Sequence, residues 1–555
     1  MKIKEKLEYL YTMGPRASGS WEELKAAEYI RETFIKAGIN ARIETFESPS
    51  HLALRSTLKV PDNGRVFTSL PTQFSPAGKA IGELIYLGVF DTPFIDRADL
   101  KGKIGLIIPS SGAFNHGERI DFILDLEQRG LAGLIVGCPS MDLINAKIIR
   151  YPEIKKLPSV AVSWRTGSEL KRLEGKDVYM EVEHDKRMRN ESQNVVVEIP
   201  GESAYWLTVS AHYDTAAFCP GASDDGGGTA VVMELAETFA GKKLPATLYF
   251  VFTGSEEYGG LDMVGAGSKA FYRKHSGEIE NCIAHIDVDD IGNLLGCVHL
   301  YTAGPASFMK ALKAVPSPFK YAIKKKTMPS CDHGAAVMFG IPYIWLSDHF
   351  EQRPQFHTPE DKIEYMDLEK LELYYKYITD VIKKFVSARP FYPYVKEGEK
   401  LIRPAYFKDI PDILNITRDA FGPVSMNKMQ QDFFNEKIGG KEWHEYKNAA
   451  VEASLKDDIY NAVVCEINGK VVGYATVFYD AESGIANIGN NAVYTDWQGK
   501  GIGKAMQAEI KRRMKEEGYE KFAVTTLSND IAAQKIYEKL GYSKYIEAFH
   551  YLKGF

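Results

Sequence analysis

Two histidines and three carboxylates occur in order along the middle of the chain, and their types could bind metal ions. They are His212, Asp224, Glu257, Asp289 and His357. Imidazole nitrogens combined with mostly carboxylate oxygens form a hard ligand set, which suits a pair of divalent metals better than a single closed structural zinc. These residues therefore predict a two-metal site.

A further acidic residue, Glu256, directly precedes Glu257 in the sequence Thr-Gly-Ser-Glu-Glu. A carboxylate that lies beside a metal ligand without being one can carry the proton in metal-assisted hydrolysis. The pair therefore predicts a hydrolase in which Glu256 is the general base.

The elements that must position these residues are apolar, strand-like runs separated by helices. Such runs predict a mostly parallel sheet that is buried on both faces. Three of the four runs lead into candidate ligands at their C-terminal ends, where open α/β sheets bind ligands. The runs are 206–211, 247–252, 283–288 and 343–346, and a helix is predicted at 228–239.

The rest of the chain divides into further units. A helix over 17–39 precedes a stretch at 80–185 whose short apolar runs suggest a small α/β or β-barrel insert. A helix near 367–387 is followed by Pro390 and Pro393, which indicate a linker. The residues that follow suffice for one more α/β domain.

The composition limits the class of protein. A chain of 555 residues is too long for one ordinary core, and 45% hydrophobic with 26% charged residues is typical of a soluble globular protein. The net charge of -6 gives no reason to expect a nucleic-acid or membrane partner. The charged N-terminal residues are not followed by an apolar run, so we expect a cytoplasmic protein with reduced cysteines. The oligomeric state stays open.

The ligand motifs resemble those of the co-catalytic di-zinc aminopeptidases, the family that includes bacterial leucyl aminopeptidases. The likeness covers about residues 10–388, from Gly14-Pro-Arg-Ala-Ser-Gly19 to Ser330-Cys-Asp-His-Gly334 and Gly340-Ile-Pro342. It is interrupted by a stretch that resembles a protease-associated (PA) domain, with Asp99-Leu-Lys-Gly-Lys-Ile-Gly105 among its motifs. The resemblance implies a peptidase with an inserted PA-like domain.

This resemblance implies a role for each candidate ligand. One zinc ion would be held by His212 and Asp289. The other would be held by Glu257 and His357, and Asp224 would bridge the two ions. A water shared by two such ions can lose its proton near neutral pH.

Two of these choices rest on the phasing of the family motifs. Asp224 is chosen over Asp225 because it fits the phasing of Gly-Ala-x-Asp-Asp, and the peptide bond between them is expected to be strained or cis. Asp289 is chosen over Asp287 and Asp290 because the family's Asp-x-x-Gly fits it.

The same resemblance assigns two residues that would not bind metal. Glu256 would be the general base that passes a proton to the leaving amine. Asp214, two residues after His212, would orient its imidazole. We therefore expect Glu256 and Asp214 to be catalytic residues.

The C-terminal region carries a separate motif, Gln498-x-x-Gly501-x-Gly503, at the start of a predicted helix. Glycines there expose backbone N–H groups, which together with the helix dipole can bind a pyrophosphate. A hairpin that turns at Asn468-Gly469 precedes it. This arrangement resembles the GNAT acetyltransferases over essentially all of residues 400–555.

The GNAT resemblance implies acetyl-CoA as the cofactor. The backbone of Val493 would hold the acetyl arm, Asn529 would contact the cofactor, and Tyr537 would protonate the departing thiolate. The pyrophosphate would be bound by Gln498, Gly501, Gly503 and Lys504.

Two positions depart from the GNAT pattern. Gln498 stands where Arg is commoner, and Asn490-Asn491 replaces an apolar pair in the strand. The second departure bears on the acceptor side of the site, and no general base is evident there. A GNAT fold that binds CoA without turnover is therefore an alternative.

The predicted fold class is α/β, with a mixed, mostly parallel sheet that has helices on both faces, a PA-type insert and a C-terminal GNAT α/β domain. The predicted domains are a di-metal peptidase (1–65 and 190–388), the insert (66–189), a linker (389–399) and the GNAT domain (400–555).

The predicted function is a metal-dependent aminopeptidase that hydrolyses peptides with two zinc ions, fused to an acetyl-CoA-dependent N-acetyltransferase that acts on an amine. The alternative is a glutaminyl-cyclase-like or carboxypeptidase-like enzyme with a regulatory, CoA-sensing GNAT domain.

Overall fold

The computed structural model contains three sheets joined by helices. It describes residues 2–51, 53–89, 99–108, 116–149, 151–185, 189–258, 263–320, 323–325, 329–349, 354–392 and 394–547. The strands are β1 (Ala41–Glu47), β2 (Ala53–Lys59), β3 (Val66–Phe67), β4 (Leu70–Pro71), β5 (Gly78–Val89), β6 (Ile104–Ile108), β7 (Gly133–Gly137), β8 (Ser159–Val162), β9 (Asp177–His184), β10 (Glu191–Ile199), β11 (Trp206–His212), β12 (Thr247–Thr253), β13 (Cys282–Val288), β14 (Cys297–Ala303), β15 (Ile323–Lys325), β16 (Tyr343–His349), β17 (Val395–Glu397), β18 (Lys400–Pro404), β19 (Ala462–Ile467), β20 (Lys470–Asp480), β21 (Ile485–Val493) and β22 (Lys521–Val524).

The α-helices precede, separate and follow these strands along the chain. They are α1 (Lys2–Thr12), α2 (Trp21–Lys36), α3 (His116–Gln128), α4 (Trp164–Lys171), α5 (Gly227–Phe239), α6 (Ala266–Lys274), α7 (Ala306–Lys313), α8 (His333–Met338), α9 (Leu368–Phe385), α10 (Ile410–Phe421), α11 (Met426–Phe434), α12 (Trp443–Asp457), α13 (Ile502–Glu516) and α14 (Ile531–Lys539). No helix of the described ranges has an apolar stretch of the length that a membrane crossing requires.

The first sheet has eight strands in the order β1-β10-β12-β11-β13-β16-β14-β15. Its four central strands, β12, β11, β13 and β16, are parallel to one another, and β11 and β13 are buried along their whole length. Helices α1, α2, α5 and α9 share one core with the sheet, while α6 and α8 pack in a separate core. The predicted α/β class with helices on both faces is confirmed.

The predicted strands and helices lie within a few residues of the observed ones. The largest difference is at the first long helix, predicted at 17–39 and observed as α2 from Trp21 to Lys36. It begins later because the side chain of Ser20 accepts a hydrogen bond from the N–H of Glu23 and caps the helix.

The second sheet takes its strands from the segment between β1 and β10. Its order is β3-β2-β9-β5-β6-β7-β8-β4, and β5, β6, β7 and β8 are parallel. Strand β2 belongs to this sheet although it precedes residue 66, the predicted start of the insert. The segment has its own apolar core beneath β5, β6 and β9.

The third sheet, β17-β18-β19-β20-β21-β22, lies in the C-terminal region. Its strands are antiparallel except for β21 and β22, which are parallel. Helix α13 packs against this sheet together with Tyr537 of α14.

An apolar cluster joins the first and third sheets. Tyr343 and Trp345 of β16 pack in one core with residues of α10 and α12. The hydroxyl of Tyr460 donates a 2.7 Å hydrogen bond to the carbonyl of Ile341. Tyr392, within the predicted linker, is also part of this cluster. The C-terminal region is therefore packed onto the first sheet.

Candidate functional site

The ends of the parallel strands bring the first group of predicted residues together. His212 is the last residue of β11, Asp289 follows β13, and Glu257 lies four residues after the end of β12. Asp224 comes just before α5. Parallel strands end at the same edge of a sheet, so these buried side chains meet there.

Asp224 lies between the two histidines. Its Oδ1 is 3.1 Å from Nε2 of His212, and its Oδ2 is 3.1 Å from Nε2 of His357. Asp289 Oδ1 lies 3.2 Å from Nε2 of His212, and Glu257 Oε2 lies 3.4 Å from Nε2 of His357. The five predicted ligands thus form two groups that share one carboxylate.

The neighbouring aspartates have other partners. Asp225 Oδ1 accepts hydrogen bonds from the N–H groups of Gly228 and Asp290 at 3.0 and 3.1 Å. Asp225 also comes near His212 and Asp289, so it remains close to one group. The peptide bond between Asp224 and Asp225 is cis, as expected.

Asp287 lies within the buried strand β13. Its Oδ2 accepts a hydrogen bond from the backbone N–H of His333 and lies 3.0 Å from Nδ1 of the same residue. Its Oδ1 accepts a hydrogen bond from the hydroxyl of Ser210. The imidazole of His333 stacks between Tyr343 and Trp345. These contacts give Asp287 and His333 a structural role in the core.

The pKa shifts of the candidate metal ligands are those expected at a site that binds cations. Burial alone would lower the pKa of His212, but the carboxylates of Asp214, Asp224 and Asp289 outweigh it and raise that pKa well above its usual value. Burial would raise the pKa of Asp224, but its contacts with His212 and His357 hold it well below its usual range. Asp224 Oδ2 is buried, and its 3.1 Å contact with Nε2 of His357 is an ion pair without the geometry of a hydrogen bond. Imidazole nitrogens and carboxylate oxygens that converge in this way fit divalent metals.

Asp214 holds the turn that carries the two glutamates. Its carboxylate accepts the backbone N–H of Glu256 at 3.0 Å and that of Glu257 at 3.1 Å. Nδ1 of His212 is 3.1 Å from the backbone carbonyl of Asp214 and 3.6 Å from its carboxylate. The backbone of Asp214 therefore contacts the imidazole that this residue was predicted to orient. Its carboxylate binds the turn at Glu256 and Glu257, a contact that the sequence did not reveal.

Glu256 is buried beside the two groups and is 7% exposed. Burial raises the pKa of Glu256, although the nearby charges of His212 and Lys147 act in the opposite direction. A carboxyl in such a setting can both take up and release a proton.

Three residues that the sequence analysis missed also reach this edge of the sheet. Asp361 accepts hydrogen bonds from the N–H groups of Ser223 and Asp224, and so fixes the loop before α5. Gln73 of the second-sheet segment donates to the carbonyl of Glu257 at 3.4 Å. Asp361 lies in the same short motif as His357, which was a usable signal, whereas nothing local marks Gln73.

Lys147 is the third of these residues. It lies in a 3-10 helix (Ala146–Ile148) of the second-sheet segment. Its ammonium pairs with Glu257 and lies 3.3 Å from Nε2 of His357. The second-sheet segment therefore presents a positive charge at the group that contains Glu257 and His357.

The residues predicted to bind acetyl-CoA line a cleft of about 1200 Å³ in the C-terminal region. Gly501, at φ +75°, directly precedes the long helix α13, whose first N–H groups face outward. The side chain of Gln498 donates a 3.1 Å hydrogen bond to the carbonyl of Val493. The predicted residues along the cleft are Val493, Gln498, Gly501, Gly503, Lys504, Asn529 and Tyr537.

The cleft opens where β21 and β22 separate. These strands pair from Ile485 to Ile488, and the pairing stops there. Against β20, the register of β21 shifts between Ile488 and Asn491, which indicates a bulge. Bulge and separation together leave the next residues of β21 facing the cleft.

The two asparagines that depart from the GNAT pattern have specific partners in this cleft. Asn491 donates a 2.8 Å hydrogen bond to the hydroxyl of Tyr537, and Asn490 accepts one of 2.6 Å from Lys447. Burial raises the pKa of Tyr537, so its phenol stays protonated. Asn529 donates to the carbonyl of Pro423 across the cleft.

A helix N-terminus beside a lysine suits a phosphate group. The helix dipole and the exposed N–H groups at Gly501 favour an anion, and Lys504 adds a positive charge within the same cleft. The lining of the cleft therefore fits the pyrophosphate of a nucleotide cofactor.

Two protein-family models match separate parts of the chain. The model of peptidase family M28 matches residues 194–382, and that of the acetyltransferase (GNAT) family matches residues 423–542. The first match contains the two histidine and carboxylate groups, and the second contains most of the residues that line the cleft.

Related proteins match part of the chain. Aminopeptidase YwaD of Bacillus subtilis is 23% identical over 414 residues, which cover 72% of this chain and 87% of that protein. Leucine aminopeptidase 1 of Penicillium rubens is 26% identical over 205 residues, which cover 32% of this chain and 52% of that protein.

Solved structures share the fold. BSAP, a zinc aminopeptidase from Bacillus subtilis, superposes with a TM-score of 0.57 at 23% identity, covering 69% of this chain and 94% of that one. An aminopeptidase from Aneurinibacillus sp. strain AM-1 gives a TM-score of 0.54 at 24% identity, covering 70% and 94%.

Proposed function

The chain contains a peptidase family M28 domain and a C-terminal GNAT acetyltransferase domain, and we propose that it is a bifunctional enzyme. One half is an aminopeptidase that removes N-terminal residues from peptides. The other transfers the acetyl group of acetyl-CoA to an amine. The relatives that carry the name aminopeptidase support the first activity.

In the proposed peptidase site, His212 and Asp289 would hold one zinc ion and Glu257 and His357 the other, with Asp224 as a ligand that the two groups share. Bound zinc supplies Lewis-acid chemistry, which polarises the peptide carbonyl and makes water more acidic. The remaining steps belong to the protein side chains.

Glu256 takes the proton from the attacking water and gives it to the nitrogen of the leaving amine as the C–N bond breaks. Asp214 keeps Glu256 in position through the N–H groups of the turn. Gln73 and Lys147, from the segment that we propose to be a PA-type insert, border the place where the peptide would lie.

The observation that carries this proposal is the position of Asp224. Its Oδ1 lies 3.1 Å from His212 and its Oδ2 lies 3.1 Å from His357, so a single carboxylate joins both groups. A buried pair of histidines that served only structural needs would not require three carboxylates around it.

The proposal is tested with Glu256→Gln in the full chain. We expect about two zinc ions per chain in the parent and in the variant, and a loss of hydrolysis of aminoacyl-anilides on the order of 1000-fold. Metal content is measured by elemental analysis and turnover by anilide release. Glu202→Gln, an exposed position of the same domain, is the control and should keep full turnover.

Two results would contradict the proposal. Retained turnover in Glu256→Gln would remove its role as the base. One metal per chain without hydrolysis in the parent would favour a glutaminyl-cyclase-like reaction, which peptides with N-terminal Gln would then reveal.

In the acetyltransferase half, we propose that Gln498, Gly501, Gly503 and Lys504 bind the pyrophosphate of acetyl-CoA. Val493 holds the acetyl arm, and Asn529 contacts the cofactor. Tyr537 protonates the thiolate when the C–S bond breaks. Hydrolysis by the peptidase half exposes an α-amine, which is the kind of group that the second half would acetylate.

A further inference from the structure

The cleft of the C-terminal domain has two sides, and the proposed function assigns only one. The side at the start of α13 carries the residues proposed for the pyrophosphate. The opposite side is formed by α10, α12, the start of α11 and the segment between α10 and α11, with Phe421, Pro423, Met426 and Lys447. Since the cofactor takes the first side, the acceptor must approach from the second.

Lys447, on helix α12, is the basic group of this second side. Its amine donates a 2.6 Å hydrogen bond to Oδ1 of Asn490 and lies 4.5 Å from the ring centroid of Phe421. No carboxylate of the described residues forms an ion pair with it. An amine that is partly buried without an opposite charge is poorly solvated as a cation, although the face of the Phe421 ring attracts a positive charge. Burial accordingly lowers the pKa of Lys447.

Consecutive residues of β21 join this amine to the proposed acid. Asn490 contacts Lys447, and Asn491 contacts the hydroxyl of Tyr537 at 2.8 Å. Both asparagines lie at the bulge where β21 leaves β22, two and three residues before Val493, which is proposed to hold the acetyl arm. A basic and an acidic group therefore flank the same short stretch of strand.

The other titratable groups of the cleft do not offer an equivalent base. Asp419 Oδ2 accepts the N–H of Thr495 at 2.7 Å, and Asp530 caps α14 through the N–H of Ala533. The charged and titratable residues that line the cleft besides Lys447 are Asp419, Lys504, Asp530, Tyr537 and Lys539.

We propose that Lys447 is the general base that deprotonates the acetyl acceptor. The inference rests on the proposed acetyltransferase function. The neutral amine of Lys447 takes a proton from the ammonium of the acceptor, whose nitrogen then forms a bond with the thioester carbon. The C–S bond breaks, and the thiolate of CoA takes the proton of the Tyr537 hydroxyl. As the C–S bond breaks, the new amide nitrogen loses its second proton to solvent. Lys447 then also releases its proton to solvent, and Tyr537 regains one from solvent.

The test compares two acceptors that differ in protonation. Benzylamine is an ammonium ion at neutral pH and needs a base, whereas aniline is already neutral and needs none before attack. The full chain is assayed at pH 7.5 with acetyl-CoA and each amine, by release of free CoA. Binding of acetyl-CoA, measured by calorimetry, checks that each variant is folded.

We expect Lys447→Met to lower the rate with benzylamine on the order of 100-fold and to leave the rate with aniline within a few-fold. Lys447→Arg should behave in the same way, because the guanidinium stays protonated. The control is Lys456→Met on the same helix, where the ammonium pairs with Glu452 and does not line the cleft. Its rates with both amines should equal those of the parent.

Several results would overturn the inference. Equal losses with both amines would make Lys447 a structural residue. Unchanged rates with both amines, or a parent that acetylates only aniline, would show that no such base operates. Stable acetylation of Lys447 itself, detected by mass spectrometry without transfer to either amine, would make it the acceptor. A parent that binds acetyl-CoA but transfers to no amine would overturn the proposed acetyltransferase function, and the role of Lys447 with it.

Discussion

At the scale of single residues, the edge of the sheet that carries the candidate ligands depends on buried polar contacts behind it. Glu23 of α2 illustrates this, since its carboxyl accepts the hydroxyl of Ser192 at 2.6 Å and the N–H of Gly19 at 2.7 Å. It also accepts the N–H of Ser255, which lies just before the glutamate pair. Burial, reinforced by the charge of Asp214, raises the pKa of Glu23 to about 8.

This raised pKa makes stability depend on pH. Glu23 loses its proton at a lower pH in the unfolded chain than in the folded one, so the folded state loses stability as pH rises from about 4.5 towards 8. Glu23→Gln removes that dependence. We expect the melting temperature of the variant, relative to the parent, to increase between pH 5 and pH 8 by the equivalent of a few kcal/mol.

The measurement is the melting temperature of both proteins across that pH range. Glu28→Gln, an exposed position on the same helix, should follow the parent at every pH. A difference between Glu23→Gln and the parent that does not change with pH would contradict the prediction.

At the scale of elements, the loop before α5 positions Asp224 through a close approach that only glycine allows. Gly221 has φ +62°, and a Cβ there would meet the side chain of Thr215 and lie 2.6 Å from the carbonyl oxygen of Asp224. The loop is therefore held by backbone geometry as well as by Asp361.

Gly221→Ala should accordingly destabilise the protein by roughly 3 kcal/mol, from the left-handed backbone and the steric contact together. Gly241→Ala is the matched control, because Gly241 has φ +69° but open space around the added methyl. It should cost only about 1 kcal/mol. Thermal unfolding of both variants gives the comparison, and equal shifts in melting temperature would show that the contact with Thr215 has no effect.

At the scale of the whole molecule, the peptidase and GNAT regions share one apolar cluster. It includes Tyr343 and Trp345 from the first sheet and Ile413 and Tyr460 from the C-terminal region. Arg513 of α13 also lies 4.8 Å from the ring of Tyr392. Such packing differs from two domains joined by a free tether.

A chain cut after residue 395 would therefore expose Tyr343, Trp345 and their neighbours to water. We expect this fragment to bind a hydrophobic dye, to melt at a lower temperature than the full chain and to aggregate on concentration. Tyr460→Phe in the full chain is the comparison, since it removes only the hydrogen bond to Ile341, worth about 1 kcal/mol. A monomeric fragment with the melting temperature of the full chain would contradict this expectation.

The sequence by itself determined the elements and the candidate residues of both sites. Apolar periodicity predicts β11, β12 and β13 because a strand buried on both faces must be apolar along its length. The candidate ligands were found because ligand chemistry is a property of residue type, and their motifs lie next to those strands. The α/β class and the M28 and GNAT relationships followed from the same local patterns.

Only the tertiary structure decided which residues meet across large sequence distances. Asp361 binds the N–H of Asp224, a residue 137 positions earlier, and Lys147 reaches His357 across 210 positions. The pairing of Lys447 with Asn490 is of the same kind. No local pattern encodes such contacts, because they depend on how three sheets and their connections pack, and the charge, burial and proton affinity of each group follow from that packing.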